Sequence, residues 1–109
     1  MNGNHPDEIS VNELKEQIDR GDDPFILDCR EPGEFQISRV PHSILIPMGE
    51  LRDRLDEVPK EGEIVVVCRT GRRSAMVTQF LRQEGYQARN LVGGVNRWVD
   101  RIDPSQPKY

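Results

Sequence analysis

The chain has 109 residues, of which 35% are hydrophobic and 31% are charged, and its net charge at pH 7 is −4. This length suits one domain that buries its own core without disulfides or metal ions. An acidic chain is a poor candidate for general nucleic-acid binding. The longest apolar run, residues 64–68, is far shorter than the roughly 20 residues that cross a membrane, so neither nucleic acid nor membrane is an expected partner.

The two cysteines, Cys29 and Cys68, lie far apart and belong to no cluster of metal-ligating residues. We therefore expect no structural zinc, no other metal and no cofactor. The chain also lacks a charged-then-apolar start of the kind that signals secretion. Together with the low cysteine content, this predicts a protein of the reducing cytoplasm.

Short apolar runs alternate with amphipathic segments along the chain. A capping box at Ser10 and Glu13 predicts a helix that ends at Gly21. The expected strands are brief ones near residues 8–9 and at 44–46, and others at 25–27, 64–67 and 87–92. Further helices are expected at 48–58, 75–84 and 94–102, with a loop or short helix at 31–35.

Alternation of this kind predicts an α/β fold with a parallel sheet and helices on both faces. Ligand sites in such sheets lie at the carboxyl ends of the strands. Cys68 follows one predicted strand directly, and Asp28 to Arg30 follow another. The sequence therefore places these two segments at the same functional edge.

The segment Cys68–Ser74 connects a strand to a helix and combines a thiol with three arginines. Helix amino ends and nearby cations lower the pKa of a cysteine, and Gly71 permits a tight turn. We expect Ser74 to cap the helix and Cys68 to be a partly exposed thiolate. A buried, inert core cysteine is the simpler alternative, but the surrounding arginines favour a reactive one. The candidate binding residues of this loop are Arg69, Thr70, Gly71, Arg72, Arg73 and Ser74.

Three segments, in order, resemble motifs of the rhodanese-like domain, a family of sulfurtransferases. Residues 28–35 resemble D-x-R-x-x-x-E-[FY], residues 68–74 resemble C-R-x-G-x-R-S, and residues 91–98 resemble L-x-G-G-x-x-x-W. The resemblance covers nearly all of residues 1–109, with 1–7 and 104–109 as extended tails. It implies a five-stranded parallel sheet flanked by helices on both faces.

The resemblance also implies a double displacement. Cys68 would take a sulfur atom from a small anionic donor of the thiosulfate type, becoming a persulfide, and pass it to cyanide, a thiol or a sulfur-carrier protein. Arg73 and Arg69 are the expected donor contacts, and Arg72 points to solvent. Asp28 and Arg30 are expected to brace the site. Cys29 is interpreted as a small core residue rather than as a resolving cysteine.

One segment departs from the family pattern. The family's glycine-histidine pair is replaced by Ser38 and Arg39. Since that segment is structural in the family, we expect a change in loop shape rather than in chemistry.

Two other functions remain open at this point. A phosphatase or arsenate reductase of the Cdc25 type uses a cysteine, five residues and an arginine, whereas four residues separate Cys68 from Arg73 here. The shorter loop favours a single sulfur atom over a tetrahedral oxyanion. A non-catalytic interaction module is the second alternative, and the presence of Cys68 argues against it.

Residues 98–109 are similar to the end of rhodanese domains that are fused to MoeB/ThiF-type adenylyltransferases. This resemblance implies a ubiquitin-like sulfur carrier or a cysteine desulfurase as a protein partner. It leaves open whether the chain acts alone or as one part of a larger protein. Nothing in the sequence requires more than a monomer.

Overall fold

The computed structural model describes residues 6–109, so residues 1–5 of the expected amino-terminal tail lie outside the described part. One five-stranded, fully parallel sheet runs through this part in the order β1-β5-β4-β2-β3. Its strands are β1 (Glu8–Ile9), β2 (Phe25–Asp28), β3 (Ile44–Leu45), β4 (Glu63–Val67) and β5 (Gln87–Leu91). The α-helices are α1 (Val11–Asp19), α2 (Pro32–Ile37), α3 (Arg72–Gln83) and α4 (Gly94–Arg101). The predicted α/β fold with a five-stranded parallel sheet is confirmed.

The two ends of α1 follow from local chemistry. The Glu13 amide donates to the Ser10 hydroxyl at 3.1 Å, and the Ser10 amide donates to the Glu13 carboxylate at 2.9 Å. This pair is the predicted capping box, which satisfies two amides that the first helical turn leaves free. Gly21, with φ of +86°, then turns the chain away from the helix.

Two apolar layers cover the two faces of the sheet, because successive side chains of a strand point to opposite sides. Ile64, Val66 and Cys68 face the layer that includes Val77 and Leu81 of α3. Val65 and Val67 face the opposite layer, which includes α1 and α4. Cys68 is therefore positioned by strand alternation on the α3 side of the central strand.

The prediction of a single helix at residues 48–58 is wrong. The chain forms two 3-10 helices, Met48–Glu50 and Arg52–Glu57, and Arg54 departs from helical geometry with φ of −121° and ψ of 20°. Acidic residues near the carboxyl end oppose the helix dipole, and Glu57 together with Glu50 holds the Arg54 guanidinium. Leu51 and Val58 are nevertheless buried, so the apolar pattern identified the correct core contacts but the wrong helix type.

The carboxyl ends of β2, β3 and β4 remain joined beyond the last paired residues. The Cys29 amide donates to the Val67 carbonyl at 3.0 Å, and the Met48 amide donates to the Cys29 carbonyl at 3.0 Å. These bonds fix the segments that leave the sheet at this edge. None of the helices formed by residues 6–109 has the length and apolar character needed to cross a membrane.

Candidate active site

Three donors of one loop converge on the Cys68 sulfur. The amides of Gly71 and Ser74 lie 3.1 and 3.3 Å from Sγ, and the Ser74 hydroxyl lies 3.2 Å from it. The helix begins earlier than expected, at Arg72, and Gly71 is its N-cap with φ of +102°. The prediction that Ser74 is the cap is therefore wrong, because its side chain turns to the sulfur instead of to a backbone amide.

Burial and hydrogen bonding act on the thiol in opposite directions. Burial raises the pKa of Cys68, but hydrogen bonds from the Ser74 hydroxyl and from the amides of Ser74, Gly71 and Thr70 outweigh it, so the pKa is lowered. Cys68 is only 1% exposed, which corrects the expectation of a partly exposed residue. The loop wraps the sulfur closely because its amides point inward. The arrangement favours a thiolate that is held in one position.

The amino end of α4 supports the same loop from the other side. The amides of Val95 and Asn96 donate to the carbonyls of Cys68 and Arg69 at 2.9 and 3.1 Å. A Cβ atom on Gly94 would lie 2.4 Å from the Cys68 carbonyl oxygen and 2.5 Å from that of Arg69. The third resemblance motif therefore has a physical reason, since only glycine lets α4 approach the loop so closely.

The three arginines occupy different environments. Arg73 forms a two-pronged ion pair with Glu34 of α2, with distances of 2.7 and 2.8 Å. This partner holds the pKa of Glu34 down at about 2. Arg69 and Arg72 are both exposed, whereas only Arg72 was expected to point to solvent. Among the three, Arg69 and Arg72 are thus the ones whose charge faces solvent without a carboxylate partner in residues 6–109.

Asp28 and Arg30 form a fully buried ion pair below the loop. The Arg30 guanidinium donates to both Asp28 oxygens, at 2.8 to 3.1 Å, and both side chains are 0% exposed. Arg30 also donates to the carbonyls of Ser38 and Glu34, at 2.7 and 3.2 Å. The pair therefore ties the end of β2 to the middle of α2 and to the residue that follows it, and neither residue forms a hydrogen bond with the Cys68 sulfur.

Tyr109 is a site residue that the sequence did not reveal. Its hydroxyl accepts a hydrogen bond from Arg30 at 2.8 Å and donates one to Glu34 at 2.7 Å. The Arg69 guanidinium lies 5.0 Å from the centre of its ring, within the range of a cation–π contact. Residues expected to form an extended tail thus return to the loop, and no local pattern signalled it.

Asn90 is a second residue that was overlooked. It lies on β5, is 8% exposed, donates from Nδ2 to the Gly71 carbonyl at 3.1 Å and approaches the Ser74 hydroxyl with Oδ1 at 2.5 Å. A buried amide in a strand of a parallel sheet is unusual in composition. That exception to the apolar pattern was the signal available in the sequence.

Cys29 lies under the site but in a different environment. Its thiol donates to the Val67 carbonyl at 3.4 Å, and it is 1% exposed. Burial, and to a smaller degree the neighbouring Cys68 and Asp28, raise the pKa of Cys29 to about 12. The interpretation of this cysteine as a core residue agrees with its surroundings.

Comparison with known proteins identifies the family to which this chain is similar. The family model described as a rhodanese-like domain matches residues 10–101. The chain is 32% identical over 93 residues to a sulfurtransferase of Allochromatium vinosum, covering 84% of this chain and 87% of that protein. It is 37% identical over 97 residues to the adenylyltransferase and sulfurtransferase uba4 of Ogataea parapolymorpha, covering 86% of this chain but only 25% of that protein.

A solved rhodanese-like domain protein of Staphylococcus aureus has a similar fold. The TM-score is 0.81 at 30% identity, and the match covers 94% of this chain and 97% of that one. The family match at residues 10–101 contains the loop, the buried ion pair and the glycine contact described above. This chain belongs to the rhodanese-like domain family of sulfurtransferases.

Proposed function

We propose that this protein moves sulfane sulfur through a persulfide on Cys68, taking it from a small anionic donor of the thiosulfate type. The observation that carries the proposal is the convergence of two amides and one hydroxyl on Sγ, each within 3.3 Å. Such a set of donors stabilises a negative charge at one atom. It suits the thiolate of Cys68, which attacks the donor in the first half-reaction and leaves as the acceptor takes the outer sulfur in the second.

The first half-reaction is a displacement at sulfur. The Cys68 thiolate attacks the outer sulfur of thiosulfate, a new S–S bond forms, and the original S–S bond breaks with its electron pair leaving on sulfite. In the second half-reaction the acceptor attacks the terminal sulfur of the persulfide, and the electron pair of the breaking bond returns to Cys68. With cyanide as the acceptor the product is thiocyanate. The cycle needs no external oxidant and divides one difficult transfer into two simpler ones.

Donor attraction is assigned to Arg69 and Arg72, which revises the expected pair of Arg73 and Arg69, because Arg73 is paired with Glu34. Arg69 and Arg72 are exposed at the loop, and neither forms an ion pair with a carboxylate among residues 6–109. Arg73 contributes by holding Glu34 and by its electrostatic interaction with Cys68. Since Cys68 is 1% exposed, the loop must move for a donor to reach Sγ. The exposed members of the loop are Arg69, Thr70 and Arg72.

A protein acceptor is the second part of the proposal. One relative is named an adenylyltransferase and sulfurtransferase, and this chain matches a quarter of its length. We propose that a ubiquitin-like sulfur carrier receives the sulfur and that a cysteine desulfurase is an alternative donor. The monomeric state and the cytoplasmic location belong to the same proposal.

Intact mass spectrometry tests the first half-reaction. After treatment with thiosulfate and removal of small molecules, the protein should gain the mass of one sulfur atom, and cyanide should remove it with release of thiocyanate. Cys68→Ala should gain nothing, whereas Cys29→Ala should behave as the unmodified protein. A sulfur adduct that persists in Cys68→Ala would overturn the assignment.

The same preparations separate the alternatives. Hydrolysis of p-nitrophenyl phosphate without any sulfur transfer would identify a phosphatase of the Cdc25 type. Absence of both reactions, with the fold intact by circular dichroism, would favour an interaction module.

A further inference from the structure

The Ser74 hydroxyl lies between two groups that both require its proton. Its oxygen is 3.2 Å from the Cys68 sulfur and 2.5 Å from Asn90 Oδ1. A serine hydroxyl carries one proton and can donate one hydrogen bond at a time. A thiolate and an amide oxygen are both acceptors, so the two contacts cannot both be hydrogen bonds while Cys68 is ionised.

Asn90 cannot resolve the conflict by turning its amide over. Its Nδ2 donates to the Gly71 carbonyl at 3.1 Å, and a rotated amide would place two oxygen acceptors against each other there. Its backbone is fixed as well, because the Asn90 amide donates to the Asp7 carbonyl at 2.8 Å. Oδ1 therefore remains an acceptor directed at Ser74.

We propose that Asn90 is a positioning residue that directs the Ser74 hydroxyl to and from the Cys68 sulfur as that sulfur gains and loses its charge. The proposal rests on the sulfur-transfer cycle described above. When Cys68 is a thiolate, the hydroxyl donates to Sγ. When Sγ is bonded to hydrogen or to a second sulfur atom, it is uncharged and accepts weakly, and the hydroxyl donates to Asn90 Oδ1. Only the hydroxyl proton changes direction, and no covalent bond is involved.

A hydrogen-bond network that only stabilised the Cys68 thiolate would make the thiol more acidic. Asn90 has the opposite effect, because it competes with the thiolate for the Ser74 hydroxyl. Asn90 favours the states in which Sγ is covalently occupied, because only then is its oxygen satisfied by Ser74. It therefore disfavours the free thiolate relative to the persulfide and the thiol. Loss of the Asn90 acceptor should release Ser74 to the thiolate and make Cys68 more acidic.

The other groups around the sulfur do not explain such an effect. Arg73 of α3 interacts electrostatically with Cys68, and Cys29 approaches from the end of β2. Glu34 of α2 acts on Arg73 through their ion pair. The amides of α4 are occupied by carbonyls of the loop. None of these groups is a hydrogen-bond partner of the Asn90 side chain, whose partners are Ser74 and the Gly71 carbonyl.

Two substitutions at residue 90 isolate the acceptor. Asn90→Val and Asn90→Asp both lose the hydrogen bond to the Gly71 carbonyl, and only the aspartate keeps an acceptor next to Ser74. Because the aspartate also adds a negative charge near the sulfur, each substitution is measured both with Ser74 present and in Ser74→Ala. The measurement is the pH dependence of the rate at which iodoacetamide alkylates Cys68, with Cys29→Ala as the common background. This reaction requires no sulfur donor, so its outcome is independent of the proposed transfer activity.

Asn90→Val should lower the apparent pKa of Cys68 by about half a pH unit to one unit, the effect of one neutral hydrogen bond. Asn90→Asp should raise it, and by more with Ser74 present than in Ser74→Ala. Ser74→Ala should also raise it, and in the Ser74→Ala background the Asn90→Val substitution should have no further effect.

An Asn90→Asp shift of the same size with and without Ser74 would be the effect of the added charge alone and would overturn the proposal. A shift caused by Asn90→Val that persists in Ser74→Ala would do the same. If sulfur transfer fails in the unmodified protein while these shifts appear, the proposed function is wrong and the role of Asn90 in directing the Ser74 hydroxyl is supported.

Discussion

The contact between α4 and the active-site loop predicts a large effect of Gly94→Ala. The added Cβ would lie 2.4 Å from the Cys68 carbonyl oxygen and 2.5 Å from that of Arg69, and both are backbone atoms that cannot rotate away. To relieve the overlap, α4 must move and release the hydrogen bonds from the Val95 and Asn96 amides. The substitution should therefore destabilise the fold and displace the loop together.

Three contributions determine how much Gly94→Ala lowers the free energy of unfolding. The left-handed backbone at φ of +61° costs alanine about 1 to 2 kcal/mol, and two lost hydrogen bonds cost about 1 kcal/mol each. The expected loss in the free energy of unfolding is about 3 to 4 kcal/mol. Gly85→Ala is the matched control, because Gly85 has φ of +93° and a Cβ added there would meet no atom within 4 Å, so it should lose only the backbone contribution of about 1 to 2 kcal/mol.

Urea denaturation of both variants measures the difference, and alkylation of Cys68 reports on the loop. Gly94→Ala should lose about 2 kcal/mol more than Gly85→Ala, the contribution of the two hydrogen bonds. It should also alkylate with an altered pH profile, because the amides no longer hold the sulfur. Equal losses in the two variants, with unchanged alkylation, would refute the view that α4 positions the loop through this contact.

Three further predictions concern the ionisable groups. Since the folded-state pKa of Glu34 is about 2, below its ordinary value of 4.5, its ion pair with Arg73 contributes stability above pH 4.5 that is lost as the pH falls towards 2. The difference in unfolding free energy between the protein and Glu34→Gln should therefore shrink over that range in urea titrations. Asp28→Asn should destabilise the fold by about 3 to 5 kcal/mol, because it leaves Arg30 buried without its counter-charge; Asp28→Leu combined with Arg30→Met should recover much of the loss in thermal unfolding. At neutral pH, iodoacetamide should modify one cysteine per native molecule, since Cys29 has a pKa of about 12, and two adducts by mass spectrometry would contradict its burial.

Local sequence patterns predicted most of the strands and helices. Apolar runs of β-branched residues located the central strands, and the Ser10 capping box located the start of α1. The segment 48–58 shows the limit of this reasoning, because Leu51, Leu55 and Val58 have the spacing of an α-helix whereas the chain forms 3-10 helices there. Its two 3-10 turns are decided by ion pairs and tertiary contacts that no local pattern describes.

The site was predictable to a different extent. The position of Cys68 followed from one short segment, since a thiol, a glycine and arginines at a strand end suffice to indicate a reactive cysteine. The partners of that segment come from elsewhere in the chain. Glu34, Asn90 and Tyr109 reach the site only through the strand order and the return of the last residues to the loop.

The active-site loop holds its backbone amides in fixed positions around the sulfur, whereas two of its arginine side chains are exposed to solvent. The carbonyls of Cys68 and Arg69 are held by α4, and the carbonyl of Gly71 is held by Asn90, so the amides that face Sγ have little freedom to reorient. Preorganised donors of this kind stabilise a charge without the cost of reorganisation at the moment of reaction. Arg69 and Arg72 lie outside this fixed frame, exposed to solvent. In the proposed cycle these exposed cations attract the donor anion, whereas the fixed amides stabilise the negative charge on Sγ whenever Cys68 is a thiolate. That thiolate is both the nucleophile of the first half-reaction and the leaving group of the second, so one fixed set of donors serves both steps.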